Sequence, residues 1–189
     1  MILAAIVGYL VGAVSPATLI ARARGVDLRA IGSGNPGAAN AGRALGRRTG
    51  VLVAVLDVAK GAVPAAVFAA QGHDPGLVAG LAAVVGHITS PYLRGRGGKG
   101  VATAAGALLG IHPLWLAGVL VVWLAVLGVS RWIALASICA GVTIAVIGLV
   151  LAQDQLWAAV LAALVVGRHV GNVRARLRPQ APGASTADA

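Results

Sequence analysis

Apolar stretches separated by short polar segments dominate the chain and constrain its fold more than any other feature. A helix that crosses a bilayer needs about 20 apolar residues, and fewer suffice where neighbouring helices shield it. With 59% hydrophobic and 11% charged residues, the composition lies far from that of soluble domains. The sequence therefore predicts an all-α polytopic membrane protein with about seven transmembrane helices. The candidate spans are residues 2–21, 50–71, 76–93, 99–112, 113–129, 132–152 and 155–169.

Two features of these spans leave five or six crossings as alternatives. The span at 99–112 and the span at 155–169 are short, and only His112 and Pro113 separate the former from its successor. Proline disfavours helical geometry in the residue before it, which favours a break at His112.

Basic residues are distributed very unevenly among the connecting segments. With the N-terminus outside, the segments and helix ends on the cytoplasmic side hold fourteen of the fifteen Lys and Arg residues, and the outer turns hold none. Because positive charge is concentrated on the cytoplasmic side of membrane proteins, we expect an external N-terminus and a cytoplasmic C-terminus. The net charge of +10 is then a topology signal, and no nucleic-acid partner is expected.

The sequence predicts one transmembrane domain, residues 1–178, followed by a disordered cytoplasmic tail, residues 179–189.

The fifteenth cation, Lys60, lies inside the second span, three residues after Asp57. Both side chains would face the same side of a helix, where a charge at mid-membrane needs a partner. A structural ion pair is favoured over a catalytic role.

A glycine-rich basic loop follows the third span, from Arg94 to Thr103. Glycine lets the backbone approach an anion closely, and Lys99 precedes a helix whose N-terminus favours phosphate. Lys99 and Thr103 are expected one turn apart there. The loop predicts a phosphate cradle, and contact of its arginines with anionic lipid head groups is the alternative.

Two other polar segments have related chemistry. Residues 32–43 combine four glycines with Ser33, two amides and Arg43, as an anionic or polyol ligand would need. In residues 167–172, His169 and Asn172 would share one helix face, and a histidine there can carry protons or contact phosphate. Each segment alone also fits an ordinary loop or an interfacial packing contact.

The predicted topology places all three segments on the same side of the membrane, which indicates one composite site for a phosphorylated ligand. The chain contains no Glu and five Asp, and it lacks a Cys/His cluster in sequence, so metal catalysis is not expected.

These motifs, in their order and spacing, resemble the bacterial membrane acyl-phosphate:glycerol-3-phosphate acyltransferases over nearly the whole chain. The matching residues are Ser15-Pro16, Asp27-Leu28-Arg29, the Gly-Ser-Gly-Asn at 32–35, Asp57 with Lys60-Gly61, Gly86-His87, residues 97–103, and Arg168-His169 with Asn172.

The resemblance implies transfer of a fatty acyl group from acyl phosphate to the 1-hydroxyl of glycerol 3-phosphate. The products are lysophosphatidic acid and phosphate, and the reaction is the first step of phospholipid synthesis. It also implies a seven-helix enzyme in the bacterial cell membrane, with its active site facing the cytoplasm. Acyl phosphate, glycerol 3-phosphate and membrane lipid are the expected partners, without a cofactor.

Site residues carried over from the resemblance fall into two groups. Lys99, with the loop amides from Gly97 to Gly100, would hold the acyl phosphate, and Arg43 with Asn40 would hold the phosphate of glycerol 3-phosphate. A substrate phosphate oxygen could accept the proton, with His169 as general base in the competing mechanism. The catalytic candidates are Ser33, Lys99, His169 and Asn172, and the substrate-binding candidates are Asn35, Asn40, Arg43, Gly97, Gly98, Gly100 and Thr103.

The sequence departs from the family pattern at Pro36, at Ala39 and in the segment from Ile88 to Pro91. These differences are expected to affect substrate preference.

Two alternative functions remain at this point: a transporter of a phosphorylated solute, and a catalytically silent relative that binds acyl phosphate or anionic lipid. A transporter would need a polar path across the membrane, for which the spans offer little beyond Asp57 and Lys60.

Overall fold

The computed structural model describes residues 1–177, which form ten α-helices and one 3₁₀ turn at Pro91–Leu93. The proposed tail, residues 179–189, and Arg178 lie outside the described residues. The helices are α1 (Ile2–Ala13), α2 (Pro16–Ala23), α3 (Ala38–Leu45), α4 (Arg47–Ala69), α5 (His73–Thr89), α6 (Val101–Ile111), α7 (Pro113–Ser130), α8 (Ile133–Val150), α9 (Gln155–Gly167) and α10 (Val170–Leu177).

This architecture confirms the predicted all-α class in the part of the chain that the structure describes. Six helical segments are long and apolar enough to cross a membrane, and α6 is a shorter apolar helix of 11 residues. The helix boundary at His112 and Pro113 lies where the proline predicted it. The count of seven crossings and the orientation of the termini stay predictions.

The first span differs from the sequence prediction because it is broken into α1 and α2. Val14 is extended, and Ser15 caps α2 by accepting a hydrogen bond from the amide of Thr18. Pro16 is the first residue of α2, where its fixed φ suits a helix start. A break inside a span leaves carbonyl groups without intrahelical donors, and these need other partners.

Two side chains from other elements supply those partners. Ser90 Oγ donates to the carbonyl oxygen of Ala13 at 2.6 Å, and Lys60 Nζ donates to that of Val14 at 2.7 Å. Lys60 Nζ also lies 2.8 Å from Asp57 Oδ1, which confirms the predicted ion pair. Lys60 therefore neutralises a buried carboxylate and stabilises the break in the first span.

Glycines allow the helices around this pair to pack backbone to backbone. On α1, Gly8 and Gly12 face Ala79 and Ala83 of α5 so closely that a Cβ on either glycine would overlap the α5 backbone. Gly61 of α4 approaches the backbone of α6 in the same way. Small residues at such crossings are typical of membrane helices, which have no water to drive them together. This packing fixes the C-terminal end of α5 and the N-terminal end of α6, between which the glycine-rich loop runs.

Candidate functional site

A cleft of about 410 Å³ opens at the end of the bundle where α5 ends and α6 begins. It is formed by the segment between α2 and α3, the glycine-rich loop and the junction of α9 with α10. Four of its lining residues are cations and none is a carboxylate, which makes it a site for an anion. The lining residues are Arg29, Ser33, Gly34, Asn35, Pro36, Gly95, Arg96, Gly97, Lys99, Arg168 and Asn172.

The glycine-rich loop is held by the end of α5. The amide of Gly97 donates to the carbonyl oxygen of Ile88, and the amide of Gly98 donates to the carbonyl oxygen of His87, both at 3.0 Å. These two amides are therefore engaged, which corrects the expectation that they bind phosphate. Gly97 lines the cleft through the rest of its backbone, whereas Gly98 and Gly100 are buried behind it.

Glycine is required in this loop for steric reasons. A Cβ at Gly97 would overlap the carbonyl oxygen of His87, and a Cβ at Gly98 would overlap the His87 imidazole. Gly100 precedes α6 with φ of +82°, a conformation that side chains disfavour. His87 Nδ1 lies 3.7 Å from Asp57 Oδ1, so the loop rests on a residue that also contacts the buried ion pair.

Lys99 lines the cleft just before the N-terminus of α6. The first hydrogen bond of α6 runs from the Ala104 amide to the Gly100 carbonyl, so the amides of residues 101–103 have no intrahelical acceptor. Burial lowers the pKa of Lys99, and the nearby charges of Arg43 and Arg168 lower it further. A bound phosphate would relieve that repulsion, since it brings negative charge to the three cations.

Thr103 lies in the first turn of α6. The helix begins at Val101, as the sequence predicted, and Lys99 precedes that residue by two positions. Thr103 is fully buried and its backbone contacts Gly61 of α4. It does not line the cleft and belongs to the helix packing that supports the loop.

Asn40 also has a structural role, because its side chain hydrogen-bonds the backbone of the segment between α2 and α3. Its Nδ2 donates to the carbonyl oxygens of Leu28 and Ile31 at 2.9 and 3.0 Å, and its Oδ1 accepts from the Ser33 amide at 3.1 Å. The side chain is 1% exposed, so it shapes the segment between α2 and α3 and is not available to a ligand. Ser33 and Asn35, which this segment presents, both line the cleft.

The third motif is divided between two helices. α9 ends at Gly167 and α10 begins at Val170, so His169 lies at the junction and does not share one continuous helix with Asn172. Asn172 lines the cleft, whereas His169 is 1% exposed. His169 Nδ1 lies 2.7 Å from the Val165 carbonyl oxygen, which can only accept, so Nδ1 carries a proton. In the neutral imidazole Nε2 then has a free lone pair.

Three arginines that were not among the predicted catalytic and substrate-binding residues also line the cleft: Arg29, Arg96 and Arg168. Arg168 donates to the carbonyl oxygens of Gly97 and Gly98, at 3.2 and 3.3 Å, and so connects the third motif to the loop. Arg29 donates to the carbonyl oxygen of Leu93 at 3.0 Å. Arg168 directly precedes His169, and that adjacency was the available signal.

Comparison with known proteins gives a consistent result. A family model described as glycerol-3-phosphate acyltransferase matches residues 2–178. A glycerol-3-phosphate acyltransferase of Geobacter sulfurreducens is 42% identical over 177 residues, covering 91% of each chain. One from Aquifex aeolicus is 39% identical over 175 residues, covering 89% of this chain and 91% of its own.

Solved structures agree with the sequence matches. The crystal structure of PlsY (YgiH), an integral membrane glycerol 3-phosphate acyltransferase, in its glycerol 3-phosphate form superposes with a TM-score of 0.89 at 37% identity. Its lysophosphatidic acid form superposes with a TM-score of 0.86 at 36% identity. Each comparison covers 93% of this chain and 91% of the other.

Proposed function

The chain belongs to the glycerol-3-phosphate acyltransferase family, and we propose that it transfers a fatty acyl group from acyl phosphate to the 1-hydroxyl of glycerol 3-phosphate. It is an integral membrane enzyme that acylates glycerol 3-phosphate. Acyl phosphate as the donor and the 1-hydroxyl as the acceptor belong to the proposal. The observation that carries it is the carboxylate-free cleft, in which four cations from three chain segments converge.

Lys99 and the N-terminus of α6 form the proposed site for the phosphate of the donor. The ammonium group and the amides of residues 101–103 are suited to the negative charge that develops as phosphate leaves. Arg168, bound to the carbonyls of Gly97 and Gly98, fixes the loop that presents Lys99. Gly100, and Gly98 with its occupied amide, then act through the shape of the loop.

Ser33, Asn35 and Asn172 line the part of the cleft proposed for glycerol 3-phosphate. Arg43 is close enough to Lys99 to lower its pKa, and it would neutralise the negative charge of the glycerol 3-phosphate phosphate group. Asn40 would hold the loop that presents Ser33. These residues would orient the 1-hydroxyl toward the acyl carbonyl carbon. Positioning of this kind is a large source of rate enhancement when the donor is already activated.

In the reaction the oxygen of the 1-hydroxyl bonds to the acyl carbon, and the bond from that carbon to the phosphate oxygen breaks. The hydroxyl proton goes to a phosphate oxygen or to His169 Nε2. Because His169 does not line the cleft, the substrate phosphate is the favoured acceptor, with His169 as general base as the competing mechanism. We further propose that the cleft faces the cytoplasm, in a bacterial cell membrane that the chain crosses with its N-terminus outside.

The test uses protein purified in detergent with acyl phosphate and radiolabelled glycerol 3-phosphate. We expect lysophosphatidic acid and equimolar phosphate, and a loss of about 10²- to 10³-fold in kcat/KM in Lys99→Ala, because a preorganised cationic contact to the leaving group is removed. Arg131→Ala is the matched control, since it removes an exposed cation outside the cleft lining. Acyl-CoA serves as the alternative donor.

His169→Asn separates the two proton-transfer routes. The asparagine amide can still donate to the Val165 carbonyl, but the Nε2 lone pair is lost. Turnover near that of the wild type supports transfer to a substrate phosphate, and loss of turnover in folded protein supports the histidine base. Folded protein that forms no product from either donor would overturn the proposed function.

A further inference from the structure

A cluster of two imidazoles and one carboxylate lies at the opposite end of the bundle from the cleft. His73 begins α5, His112 separates α6 from α7, and Asp154 directly precedes α9. The other ends of α5, α6 and α9 adjoin the cleft. Since α5 has 17 residues, the two sites are about 25 Å apart along its axis. The cluster is therefore separate from the acyl-transfer site.

The three side chains converge on one point. Asp154 Oδ2 lies 2.8 Å from His73 Nε2 and 2.8 Å from His112 Nε2. All three potential ligand atoms lie within 4.8 Å of one another. Each comes from a different turn between helices, so sequence spacing gave no indication of the cluster.

The surroundings hold two of the three groups in place. The His112 ring, 7% exposed, stacks on Trp115 with centroids 4.2 Å apart and an interplanar angle of 12°, and meets Trp157 edge-on at 5.9 Å. Asp154 occupies the N-cap position of α9 with φ of +46°, yet its carboxylate does not cap the helix. Aspartate at that position normally accepts from the first-turn amides. Here the carboxylate is directed at the two histidines instead.

We propose that His73, His112 and Asp154 form a binding site for a divalent transition-metal ion, of which Zn²⁺ is the expected occupant. Two imidazole nitrogens and one carboxylate oxygen are a common three-ligand set for zinc, whereas Ca²⁺ and Mg²⁺ prefer oxygen alone. Zinc bonds of about 2.0 to 2.2 Å at tetrahedral angles require donor atoms about 3.3 Å apart. The two separations of 2.8 Å must therefore open by about half an ångström.

His73 provides the movement and the access that binding needs. Its side chain is 46% exposed and lies at the first residue of α5, so the imidazole can shift by rotation of the side chain alone. Solvent can supply the fourth ligand on that side. The bound ion would join three turns that are distant in sequence, so it stabilises the folded state by binding to it and not to the unfolded chain.

The experiment uses detergent-purified protein without a polyhistidine tag, first stripped with EDTA and then titrated with Zn²⁺ against a chromophoric chelator. We expect one Zn²⁺ per chain, and binding at least tenfold weaker in His73→Ala and in Asp154→Asn. Both residues are chosen in preference to the buried His112. Asp74→Asn is the matched control, because this neighbouring exposed carboxylate is not part of the cluster. X-ray absorption of the zinc-loaded protein should show imidazole scattering.

Thermal unfolding provides a second, independent measurement. Zn²⁺ should raise the midpoint of the wild type and of Asp74→Asn, and leave that of Asp154→Asn unchanged. Acyl transfer by His73→Ala should stay at the wild-type level, so this proposal and the proposed function can fail separately. Zinc binding that is absent, or that survives both substitutions, would overturn the metal site. The cluster would then be a hydrogen-bonded His-Asp-His group only.

Discussion

At the scale of single residues, the shape of the cleft depends on hydrogen bonds to the backbone of the glycine-rich loop. Gly97 and Gly98 give their amides to the carbonyls at the end of α5, and Arg168 binds the carbonyls of the same two glycines. The loop is thus fixed from both sides of its backbone. Lys99 follows directly, so its position is determined by this arrangement. The glycines are needed for close packing against His87.

Gly97→Ala should therefore lower activity without removing any functional group. Its Cβ would overlap the backbone oxygens of His87 and Ile88, and neither can move without moving α5. A displacement of Lys99 by about 1 Å is expected to lower kcat/KM for acyl phosphate by about 10²-fold. Gly128→Ala is the control, because nothing lies within 4 Å of that Cβ. Equal activity in the two variants would contradict the packing argument.

At the scale of helices, the break between α1 and α2 and the ion pair in α4 form one structural unit. Lys60 contacts both the carboxylate of Asp57 and the carbonyl oxygen that the break exposes at Val14. Ser90, just before the 3₁₀ turn, binds the neighbouring carbonyl of Ala13. The first span is thereby attached to the end of α5 that carries the glycine-rich loop.

Lys60→Met should destabilise the protein strongly. It leaves the Asp57 carboxylate buried without its cation, a change that costs about 3 to 5 kcal/mol in buried pairs. The double variant Asp57→Asn with Lys60→Met should recover part of the lost stability, because no charge remains unpaired. The midpoint of thermal unfolding in detergent measures both effects. Val63→Met, at an exposed position of the same helix, is the control. A double variant less stable than Lys60→Met would contradict the pairing argument.

At the scale of the whole molecule, the three motifs come from distant parts of the chain and meet at one end of the bundle. The His73, His112 and Asp154 cluster lies at the other end. Because the cleft end is rich in arginine and lysine, charge asymmetry predicts that it faces the cytoplasm and that the cluster faces outward.

Cysteine labelling in spheroplasts tests this orientation. In a Cys139→Ser background, Asp74→Cys should react with a membrane-impermeant maleimide in intact spheroplasts, since residue 74 is exposed at the outward end. Arg48→Cys, exposed at the start of α4, should react only after permeabilisation. The reverse pattern of labelling would contradict the predicted topology.

Much of the site could be found from sequence because its motifs are local. Gly97, Ser33, Asn35, Lys99 and Asn172 were selected from their own segments, and all of them line the cleft. Asn40 and Thr103 were selected by the same reasoning and proved to be buried in the scaffold. A motif shows which residue types are present, but it does not show whether a side chain turns toward the cleft or toward the next helix.

The sequence by itself determined the helical class, the positions of most spans and the pairing of Asp57 with Lys60. These follow from hydropathy, proline placement and the spacing of three residues along one helix, all of which act over short stretches of chain. Only the tertiary structure decided that Arg168 holds the loop, that the loop amides are engaged by α5, and that His73, His112 and Asp154 meet. The contacts of Arg168 with the loop and those within the His73, His112 and Asp154 cluster join residues about 40 to 80 positions apart. Only the packing of the helices determines which of these residues are neighbours.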